Sequence, residues 1–450
     1  MNLTILTTRL NFQWTSMQEI IPNIEKTWND VATNEGFSTK LINADEIDLK
    51  KELPFFLKSD FILITAFNAN VAKIINTLRK SLSIDAKFVF YLHGLSTIGL
   101  WPLQFFDCLN SFKKSDIFIS TSTKDKNCFE LSFKNALCEI IPFVETNSLL
   151  ASKDDKSFSN QYIYIGRISP QKNLHTLIWA FHIINKTFNK YLKLEIFGAE
   201  DHYGSPNMDI INESYLEYLK NLIEKYDIKN ITFHGFVDRE VLFKNHVTKD
   251  KVFISPSIHS DENFGMAAFT CLQIGLDCIL SNWGGHSDLS KENLVSIYNS
   301  PIGPFIDFNE LVNSILSPQK STSQISNYDC EEKIRKILLD TNLSNEKLEL
   351  TDLAKAVYSK RQFYEKNNQS RKHMRIFENY CDPISHIFFK AYGAKSNSSF
   401  SYDNIWTPSL LPWVNFDGDS YLIDCPHRGS HKLKLSNIDL FKYGLCDNLS

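Results

Sequence analysis

Short apolar segments alternate with stretches of helical period from Leu3 to Ser281. A chain built that way has one economical solution, parallel strands joined by crossover helices. In the first part, strands are expected at 3–7, 61–65, 88–92, 117–120 and 139–143, with helices near 16–32 and 71–82. The second part repeats the theme at 162–165, 193–197, 231–233, 252–255 and 278–281. At 450 residues the chain is too long for one core. The alternation therefore reads as α/β with two doubly wound, Rossmann-like domains, 1–150 and 151–320, joined by a polar linker at 148–159. Residues 321–450 form a helical segment and an aromatic-rich C-terminal extension.

Two stretches of the second domain carry chemistry. The first is Ser-Pro-Ser-Ile-His-Ser-Asp-Glu-Asn-Phe-Gly at 255–265, which leads into a helix candidate ending at Gly275, a strand, and the pair Gly284–Gly285. A strand, a loop delivering the carboxylate of Glu262, and a helix opened by Gly265 make a place where a polar sugar and an anionic phosphate sit side by side. The second is Tyr-Ile-Tyr-Ile-Gly-Arg-Ile-Ser-Pro-Gln-Lys-Asn-Leu at 162–174. Gly166 breaks the strand, Arg167 projects from its carboxyl end, and Lys172 opens an amphipathic helix with Leu174, Leu177, Ile178, Phe181 and Ile184 on one face. Ligands of open parallel sheets bind beyond the carboxyl ends of the strands, so Arg167 and Lys172 converge on the crevice of Glu262. Two fixed cations there suit a diphosphate.

In these motifs the chain resembles the family 4 glycosyltransferases, retaining enzymes of the two-domain GT-B fold. The resemblance covers about 155–300 and implies that Gly166, Arg167 and Lys172 bind the donor diphosphate. It also implies that Glu262, with Asn263, Phe264 and Gly265, borders the transferred sugar. Met266 and Ala267 then present backbone N–H groups at the start of the helix. The family's second Glu, eight residues after the first, accepts hydrogen bonds from the ribose hydroxyls; here that position is Thr270, so donor affinity is expected to suffer. The resemblance further implies same-face attack, in which the leaving phosphate helps deprotonate the acceptor. No metal or other cofactor is called for, since two protein cations already neutralise the diphosphate.

The first domain offers His93, at the carboxyl end of the apolar strand 88–92. It resembles a family histidine that lies near the transferred sugar, and a hydrogen-bonded packing role is an equal alternative. The family's glycine-rich loop after the first strand is missing: residues 7–14 contain no glycine, and Arg9 is a candidate substitute. Near the C-terminus, Cys425, His427 and His431 lack a fourth ligand nearby, so a zinc site is not expected.

With 48 basic against 52 acidic residues and a net charge of −4, the chain has no electrostatic footprint for nucleic acid. Its nine cysteines include no Cys-x-x-Cys pair, which fits free thiols in a reducing compartment. No signal-peptide pattern or membrane-spanning run is apparent, so a cytoplasmic protein is expected. The resulting expectation is a retaining hexosyltransferase that uses a nucleotide diphosphate sugar and a hydroxyl on a glycan, lipid-linked or protein acceptor, in surface-glycan or glycoconjugate synthesis. Two alternatives share the fold: a noncatalytic partner subunit that binds glycan or glycoprotein, and a sugar-nucleotide epimerase or phosphorylase.

Overall fold

The computed structural model describes residues 1–9, 15–94, 103–104, 106–143, 160–200, 214–259, 262–300, 303–325, 327–357, 359, 383–396, 414–417, 420–425 and 429–434. The expected linker at 148–159 lies outside them. The chain divides into two compact units, Met1–Ser148 with Ile325–Gln362, and Leu149–Gln324 with Phe363–Ser450. The α/β architecture read from the alternation is observed: each unit carries a six-stranded parallel sheet.

In the first unit the elements are β1 (Asn2–Thr7), α1 (Thr15–Asn34), β2 (Ser38–Asn43), α2 (Leu49–Lys58), β3 (Phe61–Ile64), α3 (Ala69–Asn76), β4 (Lys87–Tyr91), β5 (Ile117–Ser120), α4 (Thr123–Glu130), β6 (Phe133–Lys134) and β7 (Leu137–Ile140). The sheet runs β2-β1-β3-β4-β5-β7, so strand order reverses at β1/β3. β3, β4 and β5 are buried at every position, as expected of strands covered on both faces. β2 and α2 escape sequence reading for physical reasons. β2 is an edge strand with mostly accessible residues, and α2 contains Pro54, which breaks a helical pattern on paper.

The expected helix near 71–82 is α3 followed by a wider turn at Thr77–Ser81. Arg79 leaves that turn and donates to Asp116 Oδ1 at 2.6 Å and to the carbonyls of Ile84 and Ala86 at 2.9 Å, inside the core. The chain also returns to this unit after 324. The helix α11 (Asn327–Leu339) packs on α1, its Arg335 pairs with Glu35 at 2.7 Å, and its Lys333 Nζ donates to the Ile140 carbonyl at 2.9 Å. A later two-residue strand, Glu349–Leu350, pairs antiparallel with β6. Residues 340–346 carry no regular element, because the Asn, Ser and Asp among them favour turns over helix.

The second unit contains β8 (Gln161–Ile165), α5 (Leu174–Thr187), β9 (Lys193–Phe197), α6 (Tyr215–Lys225), β10 (Ile231–Gly235), α7 (Arg239–Asn245), β11 (Val252–Ser255), α8 (Met266–Gln273), β12 (Asp277–Ser281), α9 (His286–Leu289), β13 (Leu294–Val295) and α10 (Phe308–Leu316). Its sheet order is β10-β9-β8-β11-β12-β13, with the reversal at β8/β11. The helix expected to be amphipathic, α5, is buried almost all round, including His175, Thr176 and Trp179. Its second face is covered by α10 and α6. Lys172 does not open it but ends a short turn, Pro170–Lys172, and Asn173 at φ 59° redirects the chain into α5.

Beyond 363, the helix α12 (Pro383–Tyr392) packs Phe389 and Tyr392 against Trp283, with ring centroids 5.8 and 5.0 Å apart. Farther on, three short antiparallel strands, Val414–Asp417, Ser420–Cys425 and Gly429–Lys434, form a separate sheet. Cys425 and His431 fall on neighbouring strands of it, and His427 lies outside the described residues. No helix among the described residues is long and apolar enough to cross a membrane.

Candidate functional site

The reversal of strand order at β8/β11 opens the sheet where two neighbouring strands send their connections to opposite sides. Arg167 follows β8 there, and the loop carrying Glu262 follows β11. Lys172, at the end of its turn, places Nζ on Glu262 Oε2, so residues 90 apart in sequence form a largely buried ion pair. Ser257 Oγ donates to the same oxygen at 2.6 Å, and His286 Nε2 lies 3.8 Å from Oε1. Burial works against the charge on Glu262, yet Lys172 and the adjoining imidazoles hold the carboxyl well below the usual carboxylate range. The site thus keeps a charged acid beside a charged base, both already in place.

Arg167 lies on the other side of the loop, with a terminal nitrogen 2.8 Å from His259 Nε2. Burial, reinforced by Lys172 and Arg167, pushes the His259 imidazole well below its ordinary value. It is therefore neutral at pH 7, with Nε2 as acceptor and the proton on Nδ1. The His259 carbonyl accepts from the Trp283 indole at 2.7 Å and from Glu262 N at 3.0 Å. Arg167 and Glu262 are in this way hung from one residue.

Gly265 starts α8 from φ 83°, a left-handed conformation, and a Cβ there would stand 2.5 Å from His286 Cδ2. Gly285 is equally confined, since its Cβ would meet the Asn263 carbonyl oxygen and the Phe264 Cα at 2.4 Å. Its N–H donates to the Glu262 carbonyl at 2.6 Å. The two glycines let loop, helix start and His286 pack without a gap. Gly265→Ala is expected to lose about 1–2 kcal/mol from the left-handed backbone alone, read as a lower chemical-denaturation midpoint. An unchanged midpoint would show that the backbone at 265 relaxes out of the left-handed region.

Met266 and Ala267 are partly exposed in the first turn of α8, where N–H groups lack a partner within the helix. Asn263 is also partly exposed. Phe264 differs: its ring is buried against Phe269 at 5.1 Å, so its side chain serves packing and only its backbone borders the loop. Thr270 is 2% exposed, and its hydroxyl accepts from the Arg239 guanidinium at 3.2 Å. Gly166 ends β8 and donates its N–H to the Phe197 carbonyl at 3.0 Å.

His93 belongs to the first unit, beside its strand-order reversal. It adopts φ 44°, its Nε2 donates to the Thr65 carbonyl at 2.6 Å, and its ring lies between Tyr91 and Phe143. Burial lowers its pKa to about 4, so the ring is neutral and Nδ1 is an acceptor with no hydrogen-bond partner among the described residues. Arg9, the candidate substitute for a glycine loop, is instead forked onto Glu25 at 2.8 and 2.6 Å.

Sequence reading brought Arg167, Lys172, Glu262 and Gly265 to one place, and the structure places them there together. It missed Ser257, His259, His286, Trp283 and Arg239. His259 sits inside the stretch 255–265 and His286 directly follows the glycine pair, so position beside the motif was the available signal.

The family model for glycosyl transferases group 1 matches residues 150–344. An uncharacterized glycosyltransferase of Methanocaldococcus jannaschii is 28% identical over 231 residues, covering 49% of this chain and 53% of that protein. The alpha-1,3/1,6-mannosyltransferase of Saccharomyces cerevisiae is 24% identical over 219 residues, covering 41% and 42%. The chain thus spans about half the length of the curated relatives it matches. Among solved structures, an E. coli trehalose-6-phosphate structure bound with UDP-2-fluoro glucose aligns at 10% identity and TM-score 0.47, covering 82% of this chain and 99% of that one. An alpha,alpha-trehalose-phosphate synthase (UDP-forming) from Burkholderia vietnamiensis aligns at 9% identity and TM-score 0.44, covering 82% and 100%. Over residues 150–344, the chain is similar to the group 1 glycosyl transferases.

Proposed function

We propose that the protein transfers a hexose from a nucleotide diphosphate sugar to a hydroxyl group with retention, in the synthesis of a surface glycan or glycoconjugate. The observation that carries this reading is the Lys172–Glu262 pair beside Arg167 at the β8/β11 reversal. In the reaction the bond from the sugar C1 to the diphosphate oxygen breaks, and the acceptor oxygen bonds to C1 on the same face. The acceptor proton passes to the leaving phosphate. Negative charge therefore grows on the diphosphate in the transition state, where fixed cations lower the barrier more than they stabilise the ground state. Arg167 forks across two oxygens, Lys172 acts as a point charge, and the helix start at Gly265 to Ala267 adds N–H groups. Glu262 accepts from sugar hydroxyls and orients the ring.

The acceptor is a glycan, a lipid-linked sugar or a protein, and no resident metal or cofactor enters the reaction. The reading places the protein in the cytoplasm, where thiols stay reduced; Cys108, Cys128, Cys138, Cys271, Cys278 and Cys330 are free and buried.

Because Lys172 is already bound to Glu262, the donor must exchange that partner for its own phosphate. Glu262→Gln is therefore expected to leave binding of bare nucleoside diphosphate intact or tighter while transfer falls at least tenfold. Incubation with UDP-, GDP- and ADP-sugars, reading nucleoside diphosphate release, and calorimetry with the bare nucleotides check both. Loss of bare-nucleotide binding in Glu262→Gln would remove Glu262 from the sugar pocket. A wild type that binds no nucleotide would leave the noncatalytic partner, the reading favoured by Thr270 in place of a carboxylate.

A further inference from the structure

The carboxyl edge of the second sheet has an unusual surface between β8 and β10. Each of these three adjacent strands ends on a glycine: Gly166 after β8, Gly198 after β9 and Gly235 closing β10. They are joined in a row, Gly166 to β9 through its N–H on the Phe197 carbonyl at 3.0 Å, and Gly198 N to the Gly235 carbonyl at 2.8 Å. Gly198 lies so close that a Cβ would stand 1.8 Å from the Gly166 oxygen, whereas among the described residues nothing lies within 4 Å of a Cβ at Gly235. This row of glycines starts beside Arg167 and ends at Phe236, which is 65% exposed although aromatic. Neighbouring strands lie about 4.8 Å apart, so the shelf is roughly 10 Å long.

Arg239, the first residue of α7, stands just past Phe236 and is partly buried. Its guanidinium packs over the Phe243 ring at 5.6 Å and donates to the Thr270 hydroxyl at 3.2 Å. Thr270 lies one helical turn beyond Met266, an axial rise of about 6 Å. That rise suits one ester link and a furanose ring. A diphosphate held by Arg167, Lys172 and the start of α8 would then carry its ribose to Arg239, with the base running out toward Phe236.

We propose that Arg239, held in place by the Thr270 hydroxyl, is the specificity-determining group that reads the ribose hydroxyl oxygens of the bound nucleotide. This rests on the donor-site reading above. The chemistry is the reverse of a carboxylate's: guanidinium donates to oxygen lone pairs, whereas a carboxylate accepts hydroxyl protons. Thr270 is then a positioning residue, its hydroxyl spent on Arg239.

The test is calorimetric binding of UDP, GDP and their 2′-deoxy counterparts to the full chain. The wild type should prefer the ribonucleotide by about tenfold or more. Arg239→Ala should bind the ribonucleotide only as well as the deoxynucleotide, with little further loss for the latter. Arg239→Lys, which keeps the charge without the fork, should recover little of the preference. Thr270→Val, which removes the hydroxyl that holds the guanidinium, should lower the ratio as well. Equal losses for ribo- and deoxynucleotide in Arg239→Ala, or an unchanged ratio, would overturn the assignment while leaving the donor site standing. Absence of nucleotide binding by the wild type would remove the donor-site reading and this assignment with it.

Discussion

Arg167→Ala and Lys172→Ala are each expected to lower transfer by about two orders of magnitude, with the nucleotide-sugar donor saturating. Each removes a cation from the oxygens on which charge develops, and a preorganised donor of that kind supplies roughly 3 kcal/mol. The two substitutions should differ in their side effects. Arg167 lies on a neutral imidazole, so its loss removes a donor to His259 Nε2. Lys172→Ala strands the Glu262 carboxylate, to which Ser257 Oγ still donates at 2.6 Å. Its carboxyl should then titrate upward, since burial is no longer offset by Lys172. Activity of Lys172→Ala should therefore gain a dependence on pH in the acid range that Arg167→Ala lacks. Near-normal turnover by both folded variants would sink the diphosphate assignment.

The largest stability effect is expected far from this site. Asp116 is 1% exposed, and its carboxylate accepts from Arg79 at 2.6 Å, Phe88 N at 2.8 Å and Lys113 N at 2.7 Å. The Arg79 guanidinium also lies 3.9 Å over the Phe88 ring. One carboxylate thus ties the turn after α3, the start of β4 and the turn before β5. Asp116→Ala leaves a buried guanidinium without its counter-charge and two N–H groups without an acceptor, a loss of about 3–5 kcal/mol. Denaturant unfolding should show a lower midpoint with an unchanged slope for the first unit. Replacing the pair together, as Arg79→Met with Asp116→Leu, should recover much of that loss, because it removes the stranded charge. A shift below about 1 kcal/mol for Asp116→Ala alone would mean that water reaches Arg79.

Both predictions depend on residues of unequal visibility in the sequence. Arg167 and Glu262 were legible because each follows a strand whose apolar run ends at a recognisable break, Gly166 in one case and Pro256 in the other. Carboxyl ends of parallel strands are where ligands bind, whatever the side chains farther away. The Arg79–Asp116 pair had no such marker. Its members are 37 residues apart, and a buried ion pair is written in no local period.

The sequence by itself determined the alternation of strands and helices, the two sheets it builds, and the placing of Arg167, Glu262 and Gly265 at strand ends and a helix start. These follow from periods of two and 3.6 residues and from the backbone freedom of glycine, all of which act within a few residues. Only the tertiary structure decided that Lys172 rests on Glu262, that His259 holds Arg167 across 92 residues, that Arg239 occupies the hydroxyl of Thr270, and that the chain after 324 returns to the first sheet. Those contacts depend on strand order, which sets which distant ends become neighbours, and on burial, which gives each charge or imidazole its partner and its protonation state.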